Sequence, residues 1–214
     1  MAKENKQPIV DPAAHAAAVT GRQWTERQRL EPWRGEAAFC TTGQFARSGE
    51  RRYHQHCGPT ALTNAICTLR RRRGLAPMDP AEIFQCCAAI GRRRLTYWNI
   101  DERAHLGGTS YLLLQPYAAA CLRRFDLGDA RLTWRIQARP ERMARELERG
   151  RLLLLAMTRH GFYGSHLVMA HGVVRVGCGG ETRLYFLVSD GWSPRPRYID
   201  ANSLHVCGYV AVEP

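Results

Sequence analysis

The apolar pattern of this 214-residue chain changes near residue 150. Before that point, apolar residues recur at helical spacing in several segments. After it come four runs rich in leucine, valine and aromatic residues, separated by glycine-rich or proline-rich turns: 151–157, 165–176, 183–190 and 205–212. Such runs between turn residues are typical of strands joined as a meander. Helices first and antiparallel strands second predict an α+β domain.

The helical half contains a turn suited to activating a thiol. Cys57, Gly58 and Pro59 precede an apolar stripe, so we expect Cys57 at the cap position of a helix. The unpaired backbone N–H groups and the dipole at such an end favour thiolate, the nucleophilic form of cysteine. Cys57 is therefore the candidate nucleophile. The stripe comprises Ala61, Leu62, Ala65, Ile66 and Leu69.

Three further helices are expected before residue 150. The first is capped by Asp79, which precedes a proline. The second spans about 107–125, with Thr109 or Ser110 as its cap. The third spans about 140–149 and ends at a glycine.

One domain of residues 39–214 is expected, preceded by an N-terminal extension of residues 1–38. The chain is 45% hydrophobic, enough to bury a core, and nothing in it marks a hinge between two cores. The extension has only fragmentary periodicity, so we expect short helices that pack through Trp24 and Trp33. A further strand is expected at 132–136, where apolar and polar residues alternate.

The longest apolar stretches, 152–157 and 184–188, are far below the roughly 20 residues that a membrane-spanning helix needs. The N-terminus lacks an apolar signal core, so a cytoplasmic protein is expected. Eight cysteines are scattered along the chain without a CxxC motif. A disulfide framework and a structural zinc site are therefore the less favoured interpretations, and no cofactor is expected.

The net charge of +12 comes almost entirely from arginine. The arginine runs 70–73 and 92–94 follow helical segments, where cations interact favourably with exposed carbonyls. A surface that binds nucleic acid is the alternative interpretation. It is less favoured because no recognised binding motif or interleaved aromatic residues accompany the arginines.

Two histidines lie on one expected strand, and side chains alternate between the faces of a strand. His166 stands at its start beside Gly164 and Ser165, and is the candidate base. Asp190 ends the next strand, so its carboxylate is expected to hydrogen-bond the His166 ring and orient it. His171 is the alternative base if the strand register differs.

These residues resemble those of the bacteriocin-processing peptidases, the double-glycine leader peptidases of papain-like fold. Cysteine, histidine and aspartate follow one another in that order in the family. The resemblance rests on CGPTAL at 57–62, on His166 heading a strand, and on Asp190 followed by Gly191 and Trp192. It covers about residues 40–214. It implies a papain-like cysteine peptidase fold with the nucleophile helix followed by an antiparallel sheet.

The resemblance also implies the chemistry of a thiol hydrolase acting on a peptide or protein substrate. Cys57 would attack an amide carbonyl, His166 would protonate the leaving amine, and water would release the acyl-enzyme. Because no GxxxxGK[ST] motif for ATP occurs, a free-standing peptidase or amidase is expected rather than part of a fused exporter. An acyltransferase and a catalytically inactive binding module of the same fold are the alternatives.

The oxyanion would be held by the backbone N–H of Cys57 and the side chain of Gln55. Papain-like enzymes usually carry this glutamine several residues before the nucleophile, but here Arg51 stands six before and Gln55 two before. Gly58 and Trp192 are the candidate substrate-binding residues. The stretch 54–57, which reads HQHC, also permits a metal interpretation, but no second ligand pair stands at a recognisable spacing.

Overall fold

A computed structural model describes residues 7–48, 51–100, 108–136 and 139–214. Within these residues the fold is mixed α+β, with helices and an antiparallel sheet, as the sequence predicts. The helices are α1 (Pro12–Thr20), α2 (Thr42–Phe45), α3 (Cys57–Arg72), α4 (Pro80–Arg93), α5 (Leu114–Arg124) and α6 (Pro140–Glu148). The first strands are β1 (Thr25–Leu30), β2 (Arg47–Ser48), β3 (Arg51–Arg52), β4 (Tyr97–Trp98), β5 (Gly108–Thr109) and β6 (Arg131–Ile136). The later strands are β7 (Leu152–His160), β8 (Gly164–Cys178), β9 (Glu181–Ser189), β10 (Arg197–Asp200) and β11 (Val206–Glu213).

Strand β8 lies at the centre of a seven-stranded antiparallel sheet. One edge of β8 pairs with β9, while the other pairs with β7 along its first part and with β1 along its second. Strand β11 lies between β7 and β6, so the strands do not form the simple meander expected from the sequence. The reason is that β11 is largely buried and its backbone groups need partners on both edges, which β6 and β7 provide.

The two faces of the sheet are covered by different helices. Leu167 and Met169 of β8 belong to the apolar cluster that includes residues of α3, α4 and α5. Val168 and Ala170 belong to a second cluster, which includes residues of α6. The alternation of side chains along β8 therefore separates two layers of core, and α3 reaches the first layer.

The N-terminal segment packs through Trp24 and Trp33, as expected, and both rings are buried. It also carries the expected short helix α1, whose cap Asp11 accepts hydrogen bonds from two backbone N–H groups. Strand β1 was not expected. Its sequence, TERQRL, is almost entirely polar and exposed, so it lacks the alternating apolar pattern by which a strand is predicted. It is a strand because its backbone pairs with β8.

Helices α4 and α6 and strand β6 confirm the corresponding predictions. The Asp79 side chain accepts a hydrogen bond from the Ala81 N–H (2.9 Å) at the start of α4. Helix α6 ends just before Gly150, which has a positive φ of 77°. The helix ends at 70–73 and 92–94 carry the expected arginines in their last turns.

The expected helix at 107–125 begins later than predicted. Gly108 and Thr109 form β5, paired with β4, so Thr109 does not cap a helix. The Ser110 N–H donates to the Thr96 carbonyl (2.9 Å), which continues this connection, and α5 begins only at Leu114. Pairing between β4 and β5 thus replaces the helix start that Gly108, Thr109 and Ser110 suggested. Residue 107, where the predicted helix began, lies outside the described residues.

All eight cysteines are free thiols. In the described parts of the chain, no helix has both the length and the apolar character needed to cross a bilayer.

Candidate active site

Cys57 is the first residue of α3, one position later than the cap expected from the sequence. His56 occupies the cap: its backbone is not helical, yet its carbonyl accepts the Thr60 N–H (3.0 Å). Pro59 brings no N–H to this turn. Cys57 therefore lies in the first turn of a 16-residue helix, where backbone N–H groups have no acceptor inside the helix.

The Cys57 sulfur is hydrogen-bonded to the ring of His166 and to the backbone N–H groups of Gly58 and Leu167. Burial by itself would raise the pKa of the Cys57 thiol. The hydrogen bond to His166, the charge of its ring and the two backbone donors outweigh burial, so the pKa lies below its ordinary value. The site thus favours the thiolate form.

His166 is held from the other side by a peptide carbonyl. Its Nε2 lies 2.7 Å from the backbone oxygen of Asp190. Because a carbonyl oxygen only accepts hydrogen bonds, Nε2 must carry a proton, and in the neutral ring Nδ1 then has the free lone pair. Nδ1 is therefore the nitrogen that can take the proton of Cys57.

The pKa of His166 shifts in the direction opposite to that of Cys57. Burial lowers it, but the hydrogen bond to Cys57, the charge of that sulfur and the Asp190 carbonyl together raise it above its ordinary value. A lowered pKa on the thiol and a raised pKa on the imidazole both favour a thiolate–imidazolium pair.

The carboxylate of Asp190 does not make the hydrogen bond to His166 that the sequence predicted; the main-chain carbonyl of the same residue makes it. Oδ1 of the carboxylate accepts the N–H groups of Trp192 and Ser193, each at 2.9 Å, and Oδ2 accepts the Tyr163 hydroxyl at 2.9 Å. The side chain folds forward over the following turn, as aspartate does in Asx-turns. This turn fixes the position of the carbonyl.

Two aromatic rings enclose the imidazole of His166. Tyr163 stacks on it, with ring centroids 5.4 Å apart and planes within 4°. The Trp192 ring lies 4.7 Å from the His166 ring on a tilted plane and is 46% exposed, so it forms an open wall beside the imidazole. Tyr163 was not singled out in the sequence, although its place in an aromatic turn directly before the strand of His166 was a usable signal.

Cys57 and His166 open into a cleft of about 640 Å³ that is also lined by Gln55, Thr109 and Trp192. Gln55 has a positive φ of 45°, which turns the backbone shortly before the candidate nucleophile Cys57. The candidate oxyanion donor and the candidate wall therefore lie in the same cleft as the thiol.

Gly58 permits a close approach between α3 and β5. A Cβ atom at this position would stand 2.6 Å from the Cβ of Thr109 and would overlap its hydroxyl. No side chain fits there without displacing the strand. The position thus supports the floor of the cleft, while the N–H of the same residue faces the sulfur of Cys57.

His171, the alternative base, lies outside the residues that line this cleft. It is buried against Phe39 at 5.5 Å between ring centroids, where the pairing of β8 with β9 shifts register. Its Nε2 has no hydrogen-bond partner among the described residues. Burial lowers its pKa to about 4, so His171 is neutral near pH 7.

No group of three or more histidine, cysteine, aspartate or glutamate side chains suited to a metal occurs among the described residues. In the HQHC stretch, the ring of His56 is buried and its Nδ1 lies 3.3 Å from the Thr60 hydroxyl. Burial, with a smaller contribution from His54, lowers the pKa of His56 to about 4.

Comparisons with known proteins identify no relative: no protein-family model matches the chain, and no curated protein or solved structure matches it. The contacts within the cleft are therefore the basis for a function.

Proposed function

We propose that this chain is a cysteine peptidase or amidase with a papain-like fold, in which Cys57 is the nucleophile and His166 the base. The observation that carries the proposal is the contact of the His166 ring with the Cys57 thiol on one side and the Asp190 carbonyl on the other. This is the relation between nucleophile, base and orienting group that covalent acyl transfer requires. The order of the three residues along the chain resembles that of the bacteriocin-processing peptidases, which supports the same assignment.

In the first step, Nδ1 of His166 holds the proton released by Cys57, and the thiolate attacks the carbonyl carbon of a bound amide. The carbonyl π electrons move to the oxygen, which becomes an oxyanion. Cys57 and Gln55 both line the cleft, and in this mechanism the N–H of Cys57 and the side chain of Gln55 donate to the oxyanion. The imidazolium of His166 then protonates the leaving amine, the C–N bond breaks, and a thioester on Cys57 remains.

In the second step, a water molecule attacks the thioester while His166 accepts its proton. The C–S bond breaks, the carboxylic acid leaves, and Cys57 and His166 are again a thiolate and an imidazolium. The Asp190 carbonyl keeps the same ring nitrogen protonated throughout, because it can only accept a hydrogen bond. Asp190 and Tyr163 are thus positioning residues in this mechanism.

Trp192 forms the exposed wall of the cleft beside His166, so a substrate side chain or backbone can lie against its ring. The apolar body and the partial exposure of this residue suit a contact with a polypeptide chain. Gly58 contributes by keeping α3 against β5.

The deciding experiment maps a mild alkylating probe over all eight cysteines by mass spectrometry, in the native chain and in His166→Ala. We expect preferential labelling of Cys57 near neutral pH and a lower labelling rate in His166→Ala. His171→Ala is the matched control, because it removes a histidine from the same strand outside the cleft; labelling of Cys57 should persist. Equal labelling of Cys57 and other exposed cysteines in the native chain would contradict the proposal.

A second measurement establishes the reaction. The native chain and Cys57→Ala are incubated with a library of peptide amides, with and without added amines, and the products are weighed. Hydrolysed peptides that depend on Cys57 are the expected result. Products that carry the added amine in place of water would assign acyl transfer instead.

A further inference from the structure

A groove of about 1060 Å³ lies along α6 and the end of β6, apart from the cleft that contains Cys57. We call it the arginine groove, because six of the residues that line it are arginines: Arg135, Arg139, Arg142, Arg145, Arg149 and Arg151. Five of them, all but Arg151, are exposed. Arg142 and Arg145 lie on α6, and Arg149 directly follows the end of that helix.

The carboxylates in and around this groove are already paired with other arginines. Arg151 contacts Glu146 at 2.5 Å and Glu213 at 2.7 Å. Glu141 and Glu148 both contact Arg175, which does not line the groove. Within the described ranges, the five exposed arginines have no carboxylate partner. The groove therefore carries an uncompensated positive charge.

The arginine groove adjoins the active cleft through the sheet. Ile136, which lines one end of the groove and is 57% exposed, is paired with Gly208 of β11. On its other edge Gly208 is paired with Ala156, and Ala156 and Cys207 both line the active cleft. The cleft adjoins α3 and the groove adjoins α6, on opposite faces of the sheet, so a polypeptide chain passes from one to the other around the end of β6.

We propose that the arginine groove binds an acidic segment of the polypeptide substrate, at a distance from the bond that is cleaved. The inference rests on the proposed function in naming a substrate as the occupant. Guanidinium groups present planar pairs of donors that match carboxylates, and the exposed Ile136 offers an apolar contact at the end nearest the cleft. Nucleic acid fits less well, because no exposed aromatic ring for base stacking is among the described residues that line the groove.

The test measures binding by fluorescence anisotropy at constant salt. The probes are a labelled peptide of consecutive glutamates, a neutral glycine–serine peptide of equal length, and a labelled oligothymidylate of equal charge. The protein is the full chain carrying Cys57→Ala, so that binding is read without cleavage. We expect the glutamate peptide to bind more tightly than either other probe.

The groove variant combines Arg142→Gln, Arg145→Gln and Arg149→Gln. Each exposed ion pair contributes little, and three together should weaken binding of the glutamate peptide by about tenfold. The matched control combines Arg93→Gln, Arg94→Gln and Arg124→Gln, exposed arginines of a different surface pocket. It removes the same net charge and should change binding by less than about twofold.

Equal loss in the two triple variants would mean that only net charge attracts the peptide, and would overturn the inference. Tighter binding of the oligothymidylate, lost in the groove variant, would overturn it in favour of nucleic acid. No measurable binding of the glutamate peptide would also overturn it. Because binding is measured without the nucleophile, a chain that binds the peptide but hydrolyses no amide would contradict the proposed function alone.

Discussion

His166 and His171 lie on the same strand, and only 7% and 3% of their respective surfaces are exposed. Their chemistry is nevertheless opposite. His166 contacts the Cys57 thiol and the Asp190 carbonyl, and its pKa is raised despite burial. His171 packs against Phe39, and burial alone lowers its pKa to about 4. Burial favours the neutral ring at both sites, so the partners decide which histidine can hold a proton.

The difference follows from position along β8. His166 lies near the start of the strand, where the first turn of α3 and the turn after β9 both come within reach. His171 lies where β9 pairs with β8, next to the register shift, and its buried ring packs against Phe39. A strand end gives access to polar groups from several elements, whereas a strand interior supplies a side chain mainly with packing contacts.

The largest expected effect comes from removing each histidine in turn. His166→Gln should lower hydrolysis of the best-cleaved peptide amide by about 10³-fold, because the base and the acid for the leaving amine are both lost. His171→Gln should change the rate by less than about twofold. Steady-state rates of the two purified variants provide the measurement. A similar loss in both would break the distinction between the two sites.

The next effect concerns stability in acid. The unfolded chain protonates His171 below its ordinary pKa of about 6.5, whereas the folded chain resists protonation down to about 4. The free energy of unfolding should therefore fall as the pH drops from about 6.5 towards 4, with a contribution of about 3 kcal/mol from this residue.

The measurement is urea unfolding at several pH values for the native chain and for His171→Leu. His56 has a similarly lowered pKa and contributes to the slope in both proteins. Only the difference between the two slopes reports on His171. Parallel curves would show that this ring is not kept neutral by the fold.

A smaller effect is expected for Asp190→Asn. The variant keeps the carbonyl that contacts His166 and an oxygen that can cap the turn, and it loses the negative charge that helps raise the pKa of His166. Hydrolysis should fall by about tenfold or less, whereas an essential carboxylate in a triad costs about 10⁴-fold. Asp190→Ala, which also removes the cap, should be the slower of the two variants. A loss near 10⁴-fold in the asparagine variant would show that the carboxylate itself orients His166.

The smallest effect is expected for Tyr163→Phe, which keeps the ring stacked on His166 and removes the hydroxyl bound to Asp190. Unfolding should become easier by about 1 kcal/mol, the usual net value of one hydrogen bond. Hydrolysis should fall by only a few fold. Thermal unfolding and steady-state rates measure the two effects; Tyr163→Ala, which also removes the stacking, should lower the rate further.

Much of the local structure could be predicted from the sequence. Proline and aspartate at the start of α4, glycine after α6 and the apolar runs of β7, β8, β9 and β11 are local signals that the structure confirms. Strand β1 and the pair β4 and β5 could not be predicted in this way. Strand β1 is polar, and β4 and β5 have two residues each, so the conformation of all three depends on backbone partners outside the segment itself.

The sequence by itself determined that a cysteine begins a buried helix and that a histidine and an aspartate stand near strand ends, because caps, turns and periodicity are local properties. Only the tertiary structure decided that His166 contacts Cys57, whereas His171 is buried outside the cleft. It also decided that the backbone oxygen of Asp190, rather than its carboxylate, holds the ring. Which atom of a residue contacts a neighbour depends on how distant segments pack together. Here the carboxylate of Asp190 accepts hydrogen bonds from Tyr163, Trp192 and Ser193, and the backbone oxygen contacts His166 instead.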